Sequence, residues 1–242
     1  KTTPIGSTKH YLFGLILESD RLATLGAGNL AETHQTRSTR FSYKCQACNR
    51  CCYDKLIQVN PFELLHMSYA LEVETTKVLE RYLVGDAPYL KKTHTGACVF
   101  LGASGCRIHK HRPAVCRIYP LGKLETSGGK EYFVNVEPAI NSQGQYGSDG
   151  TIADYIASQQ VDPYFDAGAK CLALQHRIVA KLAADTPISA PNGFGNNVLD
   201  WIDVDKIIGL AGEHIKPLTI EAKLDAYIEI LDSWLKPPAN TK

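Results

Sequence analysis

The stretch Cys45–Cys52, with the sequence CQACNRCC, holds four of the eight cysteines of the chain. Three of them, Cys45, Cys48 and Cys51, recur at intervals of three residues, so a short loop can turn their sulfurs toward one centre. This is the spacing of the three-cysteine run of bacterial ferredoxins, whose further ligand comes from elsewhere in the chain. It also suits half of a zinc knuckle, in which cysteines separated by two residues ligate a tetrahedral ion. The stretch therefore predicts a fold organised around a metal centre.

Three more cysteines follow within a short segment, and the eighth, Cys171, stands alone. Gly102 and Gly105 allow the backbone to turn back on itself and bring two of these sulfurs together. Neighbouring side chains in extended backbone point apart, so we expect one of the adjacent pair Cys51 and Cys52 to ligate and the other to face a second centre or the core. The predicted metal ligands are Cys45, Cys48, Cys51, Cys52, Cys98, Cys106 and Cys116.

Charged and imidazole side chains surround the last of these ligands. Arg112 and Arg117 bracket Cys116, and positive charge beside a thiol favours the thiolate that a metal requires. We expect both arginines to lie close to the centre or to bind an anion or cofactor beside it. The alternatives are pairing with surface carboxylates or bracing of the loop through backbone carbonyls. His109 and His111 are further candidate ligands, because either could complete a zinc site of three cysteines and one histidine.

The length and composition favour reduced thiols over disulfides. A chain of 242 residues that is 44% hydrophobic can bury a hydrophobic core without the help of disulfide bonds. Ligand-type spacing outweighs the even cysteine count, so the sequence predicts a cytoplasmic or other reducing compartment. Cys171 shares a helical face with apolar residues and is predicted to be a small core residue.

The charge balance and hydropathy exclude several partner classes. The 26 Lys and Arg residues nearly equal the 25 Asp and Glu residues, so nucleic acid is not expected as a partner. The longest apolar run, residues 11–17, is too short to span a bilayer. A protein partner or a larger assembly remains the expected association. The sequence begins at Lys1, which is compatible with the removal of an upstream targeting or tag segment.

Helix and turn signals predict a mainly α (α+β) fold, with helices around an irregular cysteine-rich core and a small β-hairpin. Asn60 followed by Pro61 marks a helix start, and glycine-punctuated, cysteine-rich sequence is typical of irregular backbone. The segment 33–39 is interpreted as a linker. Helices are predicted over 61–71, 75–84, 151–160, 162–184 and 218–235, a hairpin over 121–126 and 131–136 with its turn at 127–129, and irregular backbone over 96–120. The predicted regions are an N-terminal extension at 1–40, the metal-binding region at 41–136 and a helical region at 137–242, packed as one compact unit.

Several motifs in one order resemble the CxxCxxCC cysteine-cluster family, the YkgJ-type proteins expected to chelate zinc or iron. After the CQACNRCC run these motifs are Cys98-x-Phe-Leu, Cys106-x-Ile and Arg112-Pro-x-x-Cys116-Arg-x-Tyr-Pro. The resemblance covers roughly residues 45–136 and implies a metal-chelating module. Family members often carry a further cysteine after the hairpin, whereas residues 137–142 contain none. The seven clustered cysteines are therefore one short of two all-cysteine tetrahedral sites.

Two function classes follow. The first is a metal-binding protein with a structural, electron-transfer or assembly-subunit role, in which an iron-sulfur cluster, favoured as [4Fe–4S], or zinc is the cofactor. The second is a metal-dependent enzyme, such as a protein-lysine N-methylase using S-adenosylmethionine, because the family includes the flagellin lysine N-methylases. No glycine-rich loop after a strand indicates a pocket for that cofactor, and no catalytic residue is predicted.

Overall fold

The computed structural model describes residues 35–125, 129–184, 188–191, 194–195, 197–212 and 219–236. The apolar run at 11–17, most of the predicted N-terminal extension and the turn residues 127 and 128 lie outside the described residues.

Helices make up much of the described chain. The α-helices are α1 Pro61–Leu71, α2 Thr75–Tyr82, α3 Ala114–Ile118, α4 Ile152–Ser158, α5 Asp162–Ala183, α6 Val204–Leu210 and α7 Ile220–Leu235. Short 3-10 helices cover Arg50–Cys52, His109–His111 and Val198–Ile202. Within the described residues, no helix is both long enough and apolar enough to cross a membrane.

The strands form three small antiparallel pairs. They are β1 Arg40–Lys44, β2 Leu101–Gly102, β3 Gly105–Cys106, β4 Leu121–Glu125, β5 Glu131–Asn135 and β6 Gln145–Thr151. Strand β1 pairs with β6, β2 with β3 and β4 with β5. The helical and small-sheet content agrees with the predicted α+β class.

The described chain divides into two compact units, each made of segments that alternate along the sequence. The helical unit contains Gln58–Lys91 and the described residues from 168 onward, and the cysteine unit contains 35–57 and Lys92–Ala167. Helix α5 begins in the cysteine unit and continues in the helical unit. The division at residues 40 and 136 stays a prediction.

The helical unit is built from helices that pack around a shared apolar core. Helix α1 packs against α2 and α7, and α6 packs against α2 and α7. The largest side chains fully buried in it include Leu64, Met67 and Tyr227, and the Tyr227 hydroxyl donates to the Trp201 carbonyl at 2.6 Å. Burial of these apolar side chains is the main source of stability of this unit.

Helix α1 begins as the sequence predicts. The Asn60 side chain accepts from the Glu63 amide at 3.0 Å, and the Glu63 carboxylate accepts from the Asn60 amide at 3.0 Å. This capping box satisfies two amides that a helix start would otherwise leave unpaired, and Pro61 at the first helical position has no amide hydrogen to satisfy. Both capping residues are buried, so water cannot replace the bonds.

We expect Asn60→Ala to lower the free energy of unfolding by about 1–2 kcal/mol, because the buried Glu63 amide loses its acceptor. Denaturant unfolding followed by far-ultraviolet circular dichroism measures the change. Asn60→Ser is the matched control, since serine caps helices about as well as asparagine. Equal stability of the two variants would show that the cap contributes nothing.

The cysteine unit contains more regular structure than the sequence indicated. Residues 96–120, predicted to be irregular, include the β2–β3 hairpin, a 3-10 turn and helix α3. The predicted linker is also partly structured, because Gln35 pairs with Phe133 beside the β4–β5 hairpin. The hairpin at 121–135 is confirmed, whereas the β1–β6 pair was missed.

The other predicted helices are confirmed within two or three residues at each end. Thr151 caps α4 by accepting from the Asp154 amide, and Thr219 caps α7. Helix α5 covers Asp162–Ala183 as expected. Helix α6 was missed; Asp203 caps it and also accepts from the hydroxyls of Thr75 and Thr76 at 2.8 Å.

Candidate metal centre

A short backbone ladder joins the two cysteine-bearing segments. The chain leaves the cysteine unit after Ile57 and returns at Lys92. On its return, the Asp54 amide donates to the Gly96 carbonyl at 2.9 Å and the Cys98 amide donates to the Cys52 carbonyl at 2.8 Å. This ladder places Cys52 and Cys98 side by side although 46 positions separate them in sequence.

Gly96 is required for this return. Its φ of +80° lies in the left-handed region, which side chains with a Cβ rarely adopt. A Cβ at this position would lie 2.2 Å from Asp54 Oδ1. Glycine therefore allows the two segments to close against each other.

The β2–β3 hairpin brings Cys98 and Cys106 together. Leu101 pairs with Cys106, and the glycines at 102 and 105 face each other across the turn. The Cys106 thiol acts electrostatically on Cys98, and burial is the main cause that raises the pKa of both thiols. The glycine turn predicted to join these two cysteines is present.

Cys51 and Cys52 do not point apart. They lie in a 3-10 turn instead of extended backbone, so their side chains do not alternate between two sides. The two thiols hydrogen-bond to each other, and this bond lowers the pKa of Cys51 to about 7 and raises that of Cys52. The expectation that the two side chains point apart is wrong, and which of the two cysteines ligates a metal stays a prediction.

Cys116 and Arg112 complete this group. Cys116 lies in α3, and the thiols of Cys116 and Cys106 both act electrostatically on Cys52. The Arg112 guanidinium is half-buried; burial lowers its pKa, and the nearby Cys116 and Cys106 sulfurs raise it. Arg112 thus lies within electrostatic reach of the sulfurs, and its guanidinium also donates to the His109 carbonyl at 2.7 Å and to the Gln159 side-chain oxygen at 2.8 Å. We call the group of Cys51, Cys52, Cys98, Cys106 and Cys116 the five-thiol cluster.

Four of the seven clustered cysteines share one backbone pattern, in which the amide two residues ahead points at the sulfur. The Ala47 amide donates to Cys45 Sγ at 3.4 Å. The Arg50, Phe100 and Ile108 amides hydrogen-bond to the sulfurs of the cysteines two positions before them, namely Cys48, Cys98 and Cys106, and favour their thiolate forms. Hydrogen bonds of this kind stabilise a sulfur that carries negative charge.

Cys45 and Cys48 lie against a different set of neighbours. Cys45 is exposed and acts electrostatically on Tyr43 and Tyr155. The amides of Gln143 and Arg50, in that order, and the Ser142 side chain hydrogen-bond to Cys48 and lower its pKa. The Cys51 thiol lies close enough to Cys48 to act against this lowering, so the pair Cys45 and Cys48 adjoins the five-thiol cluster.

Sequence reasoning missed Tyr43, Ser142 and Gln143 as neighbours of the cysteines. Ser142 lies in the segment where the resemblance leads one to expect a cysteine, and this was the available signal. The Tyr43 hydroxyl hydrogen-bonds to Ser142. The Tyr43 ring packs edge-on against Tyr146 with centroids 5.2 Å apart. A Cβ at Gly144 would lie 1.8 Å from the Tyr43 hydroxyl, so the tyrosine lies directly over the backbone of this loop.

Arg117 is more buried than Arg112 and binds more backbone carbonyls. It is buried, and its guanidinium donates to the carbonyls of Arg112 at 3.1 Å and Gln159 at 3.0 Å and to that of Lys110. It also donates to the Tyr164 hydroxyl at 2.8 Å and stacks over that ring. Arg117 therefore braces the loop through backbone carbonyls, which was the alternative expected from the sequence. Its predicted role in binding a cofactor or anion stays a prediction.

The remaining candidates differ in burial. His109 is exposed and lies beside Arg112, and burial followed by the charges of Arg112 and Arg117 lowers its pKa. Burial also lowers the pKa of His111. A ligand role for either histidine stays a prediction. Cys171 is 1% exposed in α5, and its predicted place in the core is confirmed.

The described cysteines are all free thiols. Within the described ranges, no three His, Cys, Asp or Glu side chains are already arranged to hold a metal ion. The five-thiol cluster therefore gathers its members in one region without placing the sulfurs around a common point. The ligand role of the seven cysteines stays a prediction.

Residues 44–138 match the model of the CxxCxxCC family, which is described as a putative zinc- or iron-chelating domain. The match begins one residue before Cys45 and ends within the segment after β5, so the resemblance drawn from the motifs is confirmed. No curated protein shows a significant match to the chain, and neither does any solved structure.

Proposed function

Because residues 44–138 match a family of zinc- or iron-chelating domains, we propose that this chain binds a metal centre through the thiolates of its clustered cysteines, with an iron-sulfur cluster favoured over zinc. The proposed ligands come from the seven cysteines of the cysteine unit. Cys171 is excluded because it is buried in the core of the helical unit.

The repeated amide-to-sulfur hydrogen bond is the observation that carries this proposal. Four sulfurs each face the amide two residues ahead. Such bonds favour the thiolate, although burial raises the pKa of the Cys98 and Cys106 thiols above its usual range. Metal ligands must be thiolates, and amide donors spread their charge and adjust the properties of the metal.

Cationic side chains near the five-thiol cluster support the same role. Lys55 and Arg112 act on Cys51, and Arg107 acts on Cys98 and Cys106. A metal with four thiolates carries net negative charge, and half-burying it without compensation would be costly. These three cations supply that compensation.

The spacing of the cysteines, and not their number, favours iron-sulfur chemistry. Five gathered cysteines exceed the four that one tetrahedral zinc ion or one four-iron cluster takes. The Cys45, Cys48 and Cys51 spacing is that of ferredoxin-type runs. Rotation of the cysteine side chains would bring the sulfurs to a common point. An iron-sulfur cluster bound there would supply electron transfer, whereas a zinc ion would supply a rigid cross-link. We propose a structural, electron-transfer or assembly-subunit role in a reducing compartment.

The test is anaerobic purification followed by metal analysis, sulfide analysis and an absorption spectrum. We expect about four iron atoms and four sulfides per chain for one [4Fe–4S] cluster, with a broad visible absorption that reduction bleaches. Stoichiometric zinc in a colourless protein would replace the cluster by zinc. Absence of both metals, even after anaerobic reconstitution, would contradict the proposal. Lysine methylation dependent on the metal remains an untested alternative.

A further inference from the structure

Positive charge is concentrated in one part of the cysteine unit, although the charges of the whole chain nearly balance. Residues 92–124 hold six Lys or Arg and no Asp or Glu. Four cations of this segment and of the one around Cys51 are exposed and form no ion pair with a described carboxylate, namely Arg50, Lys92, Arg107 and Lys110. We call these four residues the basic rim.

The fold brings three of these cations to one hairpin. The side-chain oxygen of Asn49 would lie 3.4 Å from a Cβ at Gly105, so the turn that carries Arg50 packs against the β2–β3 hairpin. Arg107 directly follows strand β3, and Lys110 lies in the 3-10 turn that comes next. The positive side chains therefore gather from two segments that are far apart in sequence.

The fourth cation, Lys92, lies opposite an exposed apolar side chain. An isolated antiparallel bridge pairs Tyr53 with Ala97, and the two segments continue from it to Leu56 and to Lys92. Leu56 is 66% exposed. Docking surfaces of proteins combine charged groups with apolar side chains that the partner covers, and the basic rim together with Leu56 has both.

Carboxylates of a protein suit this surface better than nucleic acid does. The rim lies on turns and a two-residue hairpin, so it presents no helix of the described residues to a major groove. The large exposed aromatic side chains of the described residues, Tyr69 and Tyr146, lie on α1 and β6, so bases have no exposed ring at the rim on which to stack. Guanidinium groups bind carboxylates with two parallel hydrogen bonds, and ammonium groups pair with them as point charges.

We propose that the basic rim is a docking surface for an acidic protein, whose carboxylates pair with the four cations while one of its apolar side chains covers Leu56. Because the cations are exposed, the attraction steers the encounter and is screened by salt, so association is fast and the complex is transient. The inference goes beyond metal binding and requires no particular metal. A docked partner would lie beside the five-thiol cluster.

The probe is a fluorescent glutamate-rich peptide with a central leucine, and its binding to the full chain is followed by anisotropy at low and high salt. We expect the double variant Arg50→Gln with Lys110→Gln to bind the peptide about tenfold more weakly at low salt and with a smaller salt dependence. Lys170→Gln with Arg177→Gln is the matched control. It removes the same two residue types from the helical unit, where both are ion-paired, and binding should change by less than about twofold. Equal losses in the two double variants, or no binding by the unaltered chain, would overturn the proposal.

A single-stranded polythymidine and vesicles that contain anionic lipids are the competing probes. If either bound more tightly than the peptide and lost affinity in the rim variant, the surface would belong to nucleic acid or to a membrane, and the proposal would fail. Leu56→Ser should weaken peptide binding about threefold without changing its salt dependence. Metal analysis of the same preparations keeps the proposed function separate, because peptide binding by a chain that takes up no metal contradicts that function alone.

Discussion

Replacement of Cys116 by serine is expected to remove the metal and unfold the cysteine unit together, whereas Cys171→Ala keeps both. Cys116 lies beside Cys52 and Arg112 in the five-thiol cluster. The free energy of metal binding contributes to folding when the site is absent from the unfolded chain, and for structural zinc it reaches about 10–16 kcal/mol. Loss of one of four ligands removes a large part of it.

Cys171→Ala is the matched cysteine variant. Its thiol is buried, and burial raises its pKa to about 12, so it stays protonated and unsuited to metal binding. Removing its sulfur should cost about 1 kcal/mol. Metal content and denaturant unfolding of the two variants decide the matter. Full metal content in Cys116→Ser, or metal loss in Cys171→Ala, would show that the ligands are assigned incorrectly.

The parts of the fold that the sequence predicts well depend on local signals. Asn60, Thr151 and Thr219 each cap the helix that follows them, because a side-chain oxygen at that position satisfies a free amide in any tertiary context. The helix α5 face with Cys171 was also identified from the helical period of its apolar residues. Such features require no knowledge of distant contacts.

The features that escaped prediction depend on contacts between distant segments. Strand β6 contains three polar or glycine residues in its centre, Gly147, Ser148 and Asp149, and lacks the apolar alternation that indicates a strand; its pairing with β1 alone defines it. The ladder between Cys52 and Cys98 likewise depends on the return of the chain at Gly96. The cluster of cysteines was readable from the sequence, but the proximity of Ser142 and Gln143 to Cys48 was not.

Arg112 and Arg117 also show that the sequence predicts a local feature but not the contacts of each side chain. Their spacing around Cys116 predicted that both lie near the centre, with bracing of the loop as the alternative. Arg112 lies near the sulfurs and donates to the His109 carbonyl, whereas Arg117 is buried and donates to three backbone carbonyls. Arg112 precedes helix α3, whereas Arg117 lies within this helix and is buried. A pattern of charges in sequence gives the residue type, and the local turn of the chain decides which way each side chain faces.

Arg117→Met is therefore expected to destabilise the cysteine unit by at least about 3 kcal/mol, because the carbonyls of Lys110, Arg112 and Gln159 lose a shared buried donor. Arg117→Lys should recover only part of this loss, since an ammonium group cannot reproduce the planar fork.

Arg112→Met is the matched variant. The Arg112 guanidinium is only half-buried and lies beside the sulfurs, so we expect weaker metal retention with a smaller loss of stability. Denaturant unfolding of the metal-loaded chains, together with cobalt(II) titration of the three variants, separates the two roles. Unchanged stability in Arg117→Met with reduced metal affinity would reverse the assignment and make Arg117, like Arg112, a residue of the metal centre.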